Sequence, residues 1–274
     1  MGLMTSSARI HPSAVVEAGA RLGEDVVIGP FCHIGAEVEL GAGARLLSHV
    51  VLAGRTRIGP DAEIHPFAAL GAAAQDLKSR GLSGTLVIGR GCLAREGVTI
   101  NAGTPAGGGE TRIGDDCAFL AYSHIGHDCS IGDGVVLSNN VLLGGHVRIG
   151  DHAAIGGATV VHQRVRIGAH SFVAGLSGVE GDLIPYGLAG GNRAHLFGLN
   201  LVGLRRRGFS DARLAVLREA FRCLFPQETG AEVLAERVET AARDFAGAED
   251  VAALIAFLRA ERERPLCAPR PARG

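Results

Sequence analysis

The sequence lacks three features that would assign it at once to a broad class of proteins. Lys and Arg total 27 while Asp and Glu total 28, so no global field recruits nucleic acid or an acidic membrane. No apolar run reaches the length of a membrane span, and the first ten residues contain no apolar signal-peptide region. We therefore expect a cytoplasmic protein with no nucleic-acid partner and no transmembrane segment.

An aliphatic residue recurs at every sixth position over most of residues 10–183. All but two of these positions hold Ile, Leu or Val, and the exceptions are Ala94 and Phe119. The position four residues further on holds only small residues or Val until Leu183. A period of six fits neither an α-helix nor a simple alternating strand. It predicts a hexapeptide parallel β-helix, in which each flat side directs one aliphatic and one small side chain into a narrow core.

The cysteines give no sign of disulfides or of a cysteine zinc site. There are six of them, and no Cys-x-x-Cys pair occurs. Four occupy the small inward position of the repeat, where a thiol packs as a compact apolar group. We predict that these four are buried in the core: Cys32, Cys92, Cys117 and Cys129.

The repeat predicts a β-helix domain over residues 1–192. If three hexads close one triangular coil, then neighbouring coils lie about 4.8 Å apart, which is the spacing of paired strands. Two insertions interrupt the repeat, at roughly 72–86 and 105–110. A solenoid tolerates insertions only as loops that leave its surface, and such loops often form binding sites.

Residues 193–274 lose the six-residue period and are predicted to form a helical domain. Ser210 is predicted to cap a helix that ends at Pro226. The apolar face of this helix would consist of Leu214, Leu217, Phe221 and Leu224.

Two further helices are predicted in this domain, near residues 231–245 and 249–263. The tail from Pro265 onward is rich in Pro and Arg, so we expect it to be disordered. The helices could cover the open end of the β-helix, because a solenoid needs a terminal cap.

Three histidines fall on one side of three successive predicted coils. His127, His146 and His162 follow aliphatic positions that are 18 residues apart. None of the three is in an inward position, so all should project from the same face. Gly145 and Gln163 share the position of His127 within the hexad and should stack beside it.

This histidine strip suits general-base catalysis. Imidazole titrates near neutral pH and can take a proton from a sugar hydroxyl. The Gly145 amide N–H could stabilise the oxyanion of an acyl transfer. Cys129 should point into the core, so covalent catalysis has no candidate nucleophile.

A zinc site is a competing interpretation, because three histidines can bind Zn²⁺. Carbonic anhydrases of the γ class do so on this fold, with ligands from two subunits. The nearest matching pair here, His124 and His127, has a poor spacing, so we predict no metal and no other cofactor. A set of solvated surface histidines is the simplest alternative.

Three motifs rarely coincide in other hexapeptide-repeat proteins: Gln75-Asp76-Leu77-Lys78, His124-Ile125-Gly126-His127-Asp128-Cys129 and Arg206-Arg207-Gly208-Phe209. Together with shorter matches, they make nearly the whole chain resemble the UDP-N-acetylglucosamine O-acyltransferase family of lipid A biosynthesis. The resemblance implies a homotrimer of left-handed β-helices. Periodicity does not give that handedness, since parallel crossovers are usually right-handed.

The reaction that the resemblance implies is the first step of lipid A biosynthesis. A 3-hydroxyacyl chain would move from acyl carrier protein to the 3-hydroxyl of UDP-N-acetylglucosamine. By the same resemblance His127 would be the general base, Asp128 would orient or charge-balance its ring, and Gly145 would supply the oxyanion N–H. The implied substrate-binding residues are Asp76, Lys78, His124, His146, His162, Gln163, Gly175, Asn200, Arg206 and Arg207.

The chain departs from the family mostly on the nucleotide side. Val202 stands where the family commonly has Glu, and Asn101 and Ala102 stand where it often has His and Arg. These changes could weaken uridine recognition or alter the sugar that is accepted. Gly175 matches the position that measures the acyl chain, and its small size implies a longer chain.

Three other functions fit parts of the pattern. The related N-acyltransferase of the same pathway has a separate N-terminal uridine-binding domain, whereas the repeat here begins by residue 10. Acetyl-CoA-dependent hexapeptide acetyltransferases lack the Gln-Asp-Leu-Lys loop and this helical domain. A non-catalytic β-helix that binds acyl carrier protein or a sugar nucleotide would bind substrate without turnover.

Overall fold

A computed structural model describes residues 7–79, 84–226 and 233–269 of the chain. Within these ranges the chain forms a left-handed parallel β-helix with three sheets, followed by a helical region. Residues of the predicted helix near 231–245 that precede position 233, and the chain end beyond 269, lie outside the described residues.

The three sheets are the three sides of the coil, and each coil contributes one short strand to each side. The first sheet contains Arg9–Ile10, Val27–Ile28, Arg45–Leu46, Glu63–Ile64, Leu93–Ala94, Ala118–Phe119, Val136–Leu137, Ala154–Ile155, Phe172–Val173, Gly187–Gly190 and His195–Leu199. The second sheet contains Val15–Val16, His33–Ile34, Val51–Leu52, Ala69–Ala72, Thr99–Asn101, His124–Ile125, Leu142–Leu143, Val160–Val161 and Gly178–Val179. The third sheet contains Arg21–Leu22, Glu39–Leu40, Arg55–Ile58, Thr85–Ile88, Glu110–Ile113, Ser130–Ile131, Arg148–Ile149 and Arg166–Ile167.

The pairing register confirms that three hexads close one coil. Ile125 pairs with Leu143, and Leu143 pairs with Val161, each 18 residues further along the chain. Only the insertions lengthen this step, so that Ile64 pairs with Ala94 and Ala94 pairs with Phe119. The two exceptions to the aliphatic pattern are therefore neighbours, and the small Ala94 lies beside the large buried ring of Phe119.

The core is a continuous column of the inward side chains. The aliphatic positions are buried from Ile28 onward, and so are the small positions from Val26 onward. The four cysteines predicted to lie inward are all buried, with relative exposures of 1–2%. Cys223 is partly exposed on a helix.

The two insertions leave the solenoid where the repeat is interrupted, but they are shorter than predicted. Ala72 still belongs to a strand of the second sheet, and the third sheet already resumes at Thr85. The second insertion contains a short 3₁₀-helix, Pro105–Gly107, and the next strand begins at Glu110.

The helical region has four helices within the described residues: α1 (Leu201–Arg206), α2 (Asp211–Leu224), α3 (Leu234–Asp244) and α4 (Glu249–Arg259). Ser210 caps α2 as predicted, because its hydroxyl accepts a hydrogen bond from the Arg213 amide. The short α1 was not predicted, and α4 ends four residues earlier than expected. No helix in the described ranges combines the length and the apolar character needed to span a membrane.

The prediction of a disordered tail from Pro265 is wrong for the residues that the structure describes. Leu266 forms a parallel bridge with Asp182, and the Leu196 amide donates to the Ala268 carbonyl at 3.0 Å. Cys267 is buried against the β-helix. Composition favoured disorder, but main-chain pairing with the last coil fixes this segment instead.

Candidate active site

A groove on the second sheet brings together most of the residues predicted to be functional. Both insertions border it, so the interruptions of the repeat flank the predicted site. A cavity of about 530 Å³ there is lined by Gln75, Asp76, Lys78, Ser79, Thr104, Pro105, Ala106, Gly107, His127, His146, Gln163 and Arg164. An adjoining cavity of about 460 Å³ adds Asn101, His124, Gly145 and His162.

His127 and Asp128 form a hydrogen-bonded pair at the floor of this groove. The His127 Nδ1 lies 2.7 Å from the Asp128 Oδ2. An ionised carboxylate only accepts, so Nδ1 must carry the proton that is shared with it. In the neutral ring Nε2 is then left as an acceptor, which is the form that a general base requires.

The second insertion buries the Asp128 carboxylate and hydrogen-bonds to both of its oxygens. The Thr104 amide donates to Oδ1 at 2.8 Å, and the Thr104 hydroxyl donates to Oδ2 at 2.7 Å. Burial alone would raise the pKa of Asp128, but the bonds from His127 and Thr104 outweigh it and hold this pKa below its usual value. Asp128 therefore stays ionised beside His127.

The backbone at this corner is left-handed, and it sets the direction of two functional side chains. Asp128 has a φ of 58° and His146, one coil along, has a φ of 62°. The Asp128 amide donates to the Thr111 hydroxyl at 2.8 Å, and the His146 amide donates to the His127 carbonyl at 2.9 Å. These bonds stabilise a conformation that side-chain-bearing residues seldom adopt.

His146 lies edge-on to His127, with ring centroids 5.1 Å apart. Burial lowers the pKa of His146, against the opposing effect of the Asp128 charge. One potential ligand atom from each of His127, Asp128 and His146 lies within 4.8 Å of the others, a spacing that also suits a metal ion. Such an ion would have to compete with the hydrogen bonds that already occupy Asp128.

Gly145 is the residue stacked directly beside the His127 ring, as the hexad position predicted. A β-carbon at position 145 would lie 2.7 Å from both Cε1 and Nε2 of His127. Any side chain there would therefore displace the ring. The Gly145 amide donates no hydrogen bond within the described residues, which leaves an N–H next to the Nε2 side of the His127 ring.

His124 lies on the strand that precedes His127, and it is tied to the neighbouring coil. Its Nδ1 lies 2.7 Å from the Thr99 hydroxyl. Burial, and to a lesser extent the nearby His127, lower the pKa of His124. A largely neutral His124 therefore faces the same groove.

Asp76 and Lys78 occupy the first insertion, across the cavity from His127. The Asp76 carboxylate accepts from the Lys78 amide at 3.0 Å, and the Ser79 hydroxyl donates to the Asp76 carbonyl at 2.9 Å. This tight turn presents a carboxylate and an ammonium group to one cavity.

The residues predicted to bind the nucleotide lie elsewhere in the chain. Asn200, Arg206 and Arg207 line a largely apolar cavity of about 810 Å³ against the first sheet, together with Phe172 and Leu188. This cavity shares no lining residue with the His127 groove. The single chain therefore does not bring the two predicted groups of site residues together.

Asn200 of this group has a structural role, and Gly175 packs against the previous coil. The Asn200 side-chain oxygen Oδ1 accepts from the Gly203 amide at 3.1 Å and caps α1, while its Nδ2 donates to the His170 carbonyl at 3.0 Å. Gly175 borders Gly157 of the previous coil, where an added β-carbon would lie 3.1 Å from a carbonyl oxygen. Gly175 lines neither cavity.

The three residues that depart from the family pattern, Val202, Asn101 and Ala102, lie in different surroundings. Val202 is 61% exposed in the apolar cavity. Asn101 is buried, and its nitrogen donates to the Ala73 carbonyl at 3.0 Å, which connects the groove to the first insertion. Ala102 is fully buried.

Sequence reasoning missed three residues around the groove. Thr104 and Thr111 hold Asp128, and Arg164 lines the cavity beside Gln163. Thr104 immediately precedes the second insertion, and that position was the available signal. Arg164 directly follows His162 and Gln163, and nothing in the repeat indicates a role for it.

Comparison with known proteins places the chain in a family. Residues 182–267 match the family described as UDP-N-acetylglucosamine O-acyltransferase, domain 2, and residues 19–54 and 110–145 match the bacterial transferase hexapeptide repeat. The chain is 44% identical over 269 residues to the acyl-[acyl-carrier-protein]–UDP-N-acetylglucosamine O-acyltransferase of Rhizobium johnstonii, covering 98% of each protein. An enzyme of the same name from Bartonella henselae is 44% identical over 265 residues, covering 97% of this chain and 96% of that enzyme.

Solved structures agree with these sequence matches. The UDP-N-acetylglucosamine O-acyltransferase from Moraxella catarrhalis superposes with a TM-score of 0.90 at 37% identity, covering 94% of this chain and 99% of that one. The UDP-N-acetylglucosamine acyltransferase from Arabidopsis superposes with a TM-score of 0.84 at 35% identity, covering the same shares. The chain belongs to the UDP-N-acetylglucosamine O-acyltransferase family.

Proposed function

We propose that this protein transfers a 3-hydroxyacyl group from acyl carrier protein to the 3-hydroxyl of UDP-N-acetylglucosamine, the first step of lipid A biosynthesis. The observation that carries the proposal is the His127–Asp128 pair beside the Gly145 N–H. It supplies a base and an oxyanion donor at one point of a groove large enough for a sugar nucleotide. The names of the relatives support the same substrates.

In the proposed mechanism His127 removes the proton of the sugar hydroxyl through Nε2. The oxygen attacks the thioester carbonyl, and the Gly145 N–H stabilises the resulting oxyanion. The carbon–sulfur bond then breaks, and the thiolate leaves as the carrier thiol with the proton held by His127. Asp128, ionised and fixed by Thr104, balances the charge of the imidazolium and keeps its orientation.

The remaining groove residues would bind the acceptor. Asp76 and Lys78 face His127 across the cavity, where a carboxylate can accept sugar hydroxyls and an ammonium can contact phosphate oxygens. His124, His146, His162 and Gln163 would line the path of the sugar and of the acyl chain.

The test is an acyl-transfer assay read by mass spectrometry. A panel of acyl carrier proteins with chains of different length and hydroxylation is paired with UDP-N-acetylglucosamine and with its 3-amino analogue. A mass increase of one acyl group on either sugar establishes acyl transfer, and the better acceptor answers the question that Asn101 and Ala102 raise. Binding of the sugar nucleotide in calorimetry without any transfer would instead indicate a non-catalytic binding protein.

The same assay decides the metal alternative. We expect the rate to stay unchanged after dialysis against a chelator, since His127 and Asp128 suffice for base catalysis. Stoichiometric metal that survives dialysis, together with lost activity once it is stripped, would overturn the metal-free mechanism.

We further propose that the active enzyme is a homotrimer in the cytoplasm, where acyl carrier protein and sugar nucleotides would be available. Support comes from a row of large exposed residues at the corner between the first and second sheets: Phe31, Phe67, Tyr122 and Leu176. Burying such a row against a neighbouring copy would be favourable. A neighbour would also bring Asn200, Arg206 and Arg207 of one chain to the His127 groove of the next.

A mixing experiment tests this shared site. His127→Ala and the Arg206→Ala/Arg207→Ala double variant are each expected to be inactive as homotrimers. Heterotrimers formed by co-expression should regain activity, because one chain supplies the base and its neighbour supplies the arginines. No recovery in verified heterotrimers would show that each site lies within one chain.

A further inference from the structure

The segment after α4 returns to the β-helix and is fixed by its main chain. The Asp182 amide donates to the Pro265 carbonyl, and the Cys267 amide donates to the Asp182 carbonyl, both at 2.8 Å. We call residues 261–268 the C-terminal strap. The strap crosses the last coils beside the predicted active-site groove.

Asp182 is itself held rigidly, so the strap has a firm anchor. Its carboxylate is fully buried and accepts from the Arg166 amide and from the Arg166 Nε, both at 2.8 Å. The Arg166 guanidinium also stacks on the Phe257 ring of α4, 4.4 Å from the ring centroid. Buried charge-assisted bonds of this kind are strong, so the anchor should not fray.

From this anchor, two strap residues reach three consecutive residues of the groove. The Arg264 Nε donates to the Gln163 carbonyl at 2.9 Å, and its Nη2 contacts the His162 Nδ1 and lies 3.4 Å from the Nε2 of the same ring. Glu263 pairs with Arg164 at 2.8 Å. The Glu263–Arg164 pair is exposed and contributes little stability, whereas Arg264 is partly buried and binds as a fork.

Arg264 holds the His162 ring in place. Its Nη2 is close to both ring nitrogens, so it lies against the ring and not along the lone pair of Nδ1 alone. The Nδ1 also lies 3.2 Å from the Gln163 carbonyl, which accepts from the Arg264 Nε. The ring is therefore fixed between Arg264 and the main chain of Gln163.

We propose that Arg264 is a positioning residue that holds the His162 ring for a hydrogen bond to the bound acceptor. The partner would be an oxygen of the sugar nucleotide, such as a hydroxyl, an amide carbonyl or a phosphate oxygen. This inference rests on the proposed function for the identity of the ligand. It gives the C-terminal strap a part in substrate binding, although the strap lies about 100 residues away from the groove in sequence.

The experiment is a double-mutant cycle on steady-state kinetics. Arg264→Ala should raise the KM for UDP-N-acetylglucosamine about tenfold, the effect of losing one hydrogen bond, with kcat changed less than about twofold. His162→Ala should have a similar effect. The double variant should be no worse than His162→Ala alone, because Arg264 acts through that ring.

Arg262→Ala is the matched control. Arg262 is exposed, lies two residues earlier in the strap and makes no hydrogen bond or ion pair within the described residues. The Arg262→Ala variant removes the same charge as Arg264→Ala, so its KM for UDP-N-acetylglucosamine should equal that of the wild type. Thermal melting and sedimentation of each variant verify that the fold and the assembly persist.

Three results would overturn the inference. An Arg264→Ala enzyme with wild-type KM would exclude a positioning role. Additive losses in the double variant would show that Arg264 acts independently of His162. A loss of kcat that follows a lower melting temperature would assign Arg264 to stability alone.

Calorimetry with UDP-N-acetylglucosamine separates this inference from the proposed function. If the wild type binds the nucleotide but does not transfer acyl groups, the same cycle is read on Kd. If the wild type binds no nucleotide, the role proposed for Arg264 fails as well.

Discussion

The second and third sheets direct similar apolar side chains into the core, but they differ in the charge of their outward side chains. The first outward position of each strand in the second sheet carries no Arg, Lys, Asp or Glu: Val15, His33, Val51, Ala69, Thr99, His124, Leu142, Val160 and Gly178. The outward positions of the third sheet are mostly charged: Arg21, Glu39, Arg55, Arg57, Glu110, Arg112, Arg148 and Arg166. The sheets share one backbone and one core.

This difference separates the residues that specify the fold from those that perform the function. Inward side chains are restricted by the narrow core, so they repeat from coil to coil. Outward side chains meet water, a substrate, another chain or, as at Arg166, the helical region, so each face can differ. We call the outer side of the second sheet the uncharged face, and it borders the predicted catalytic groove. We call the outer side of the third sheet the charged face, and most of it is suited to solvent.

The largest expected effect is on the uncharged face. His127→Ala should lower kcat by about 10²–10⁴-fold, because a positioned base is lost from the transition state. The acyl-transfer assay measures it, and circular dichroism checks that the fold is intact. A variant that keeps most of its activity would remove His127 from the mechanism.

Substitutions of inward residues should lower the free energy of unfolding by the same amount in both sheets. Leu143→Ala in the second sheet and Leu40→Ala in the third each remove a buried side chain, and each should lower the free energy of unfolding by about 2–5 kcal/mol. Denaturant titration gives both values. A clear difference between them would show that the two faces do not share one core.

Acid should destabilise the protein through its partly buried histidines. The pKa values of His124 and His146 at the groove, and of His170 away from it, are lowered in the fold, chiefly by burial. The unfolded chain then binds protons first, so the free energy of unfolding should fall as the pH drops below the ordinary histidine value of about 6.5. At lower pH, protonation of Asp128 removes a further contribution, since its pKa lies below the usual value.

The acid effect is measured by denaturant titration over a pH series, with the His124→Gln variant alongside. Replacing His124 should flatten the loss of stability near neutral pH. The same slope in the variant and in the wild type would contradict the assignment of the acid effect to that ring.

The smallest effect is expected on the charged face. Arg57 lies 3.5 Å from Glu39, and both side chains are substantially exposed. Arg57→Ala should change the free energy of unfolding by less than about 0.5 kcal/mol and leave acyl transfer unaltered. A larger loss of activity would reveal an unexpected role for this face.

The repeat made the fold and the arrangement of His127, Gly145 and Gln163 predictable, because inward positions and coil stacking follow directly from a period of six. The insertions carry no such period. The position of Thr104 next to an insertion was a signal, but no period predicts that it would cover Asp128. Composition favoured a disordered tail, whereas main-chain pairing with Asp182 and Leu196 fixes this segment.

Two other predictions remain untested, each for a physical reason. The boundary proposed at residue 192 stays a prediction, since the strand His195–Leu199 extends the first sheet by pairing antiparallel with Gly187–Gly190. The substrate roles proposed for Asn200, Arg206 and Arg207 would require a neighbouring chain, and no pattern within one chain encodes the distance between copies.

The uniform pairing of the coils makes the molecule modular along its axis. Each coil pairs only with its two neighbours, so the coils before the first insertion act as spacers for the groove. Adding or removing one complete coil there would move one end of the molecule without altering the geometry around His127. An evolving lineage could therefore change the length of the solenoid and the chemistry of its groove as separate traits.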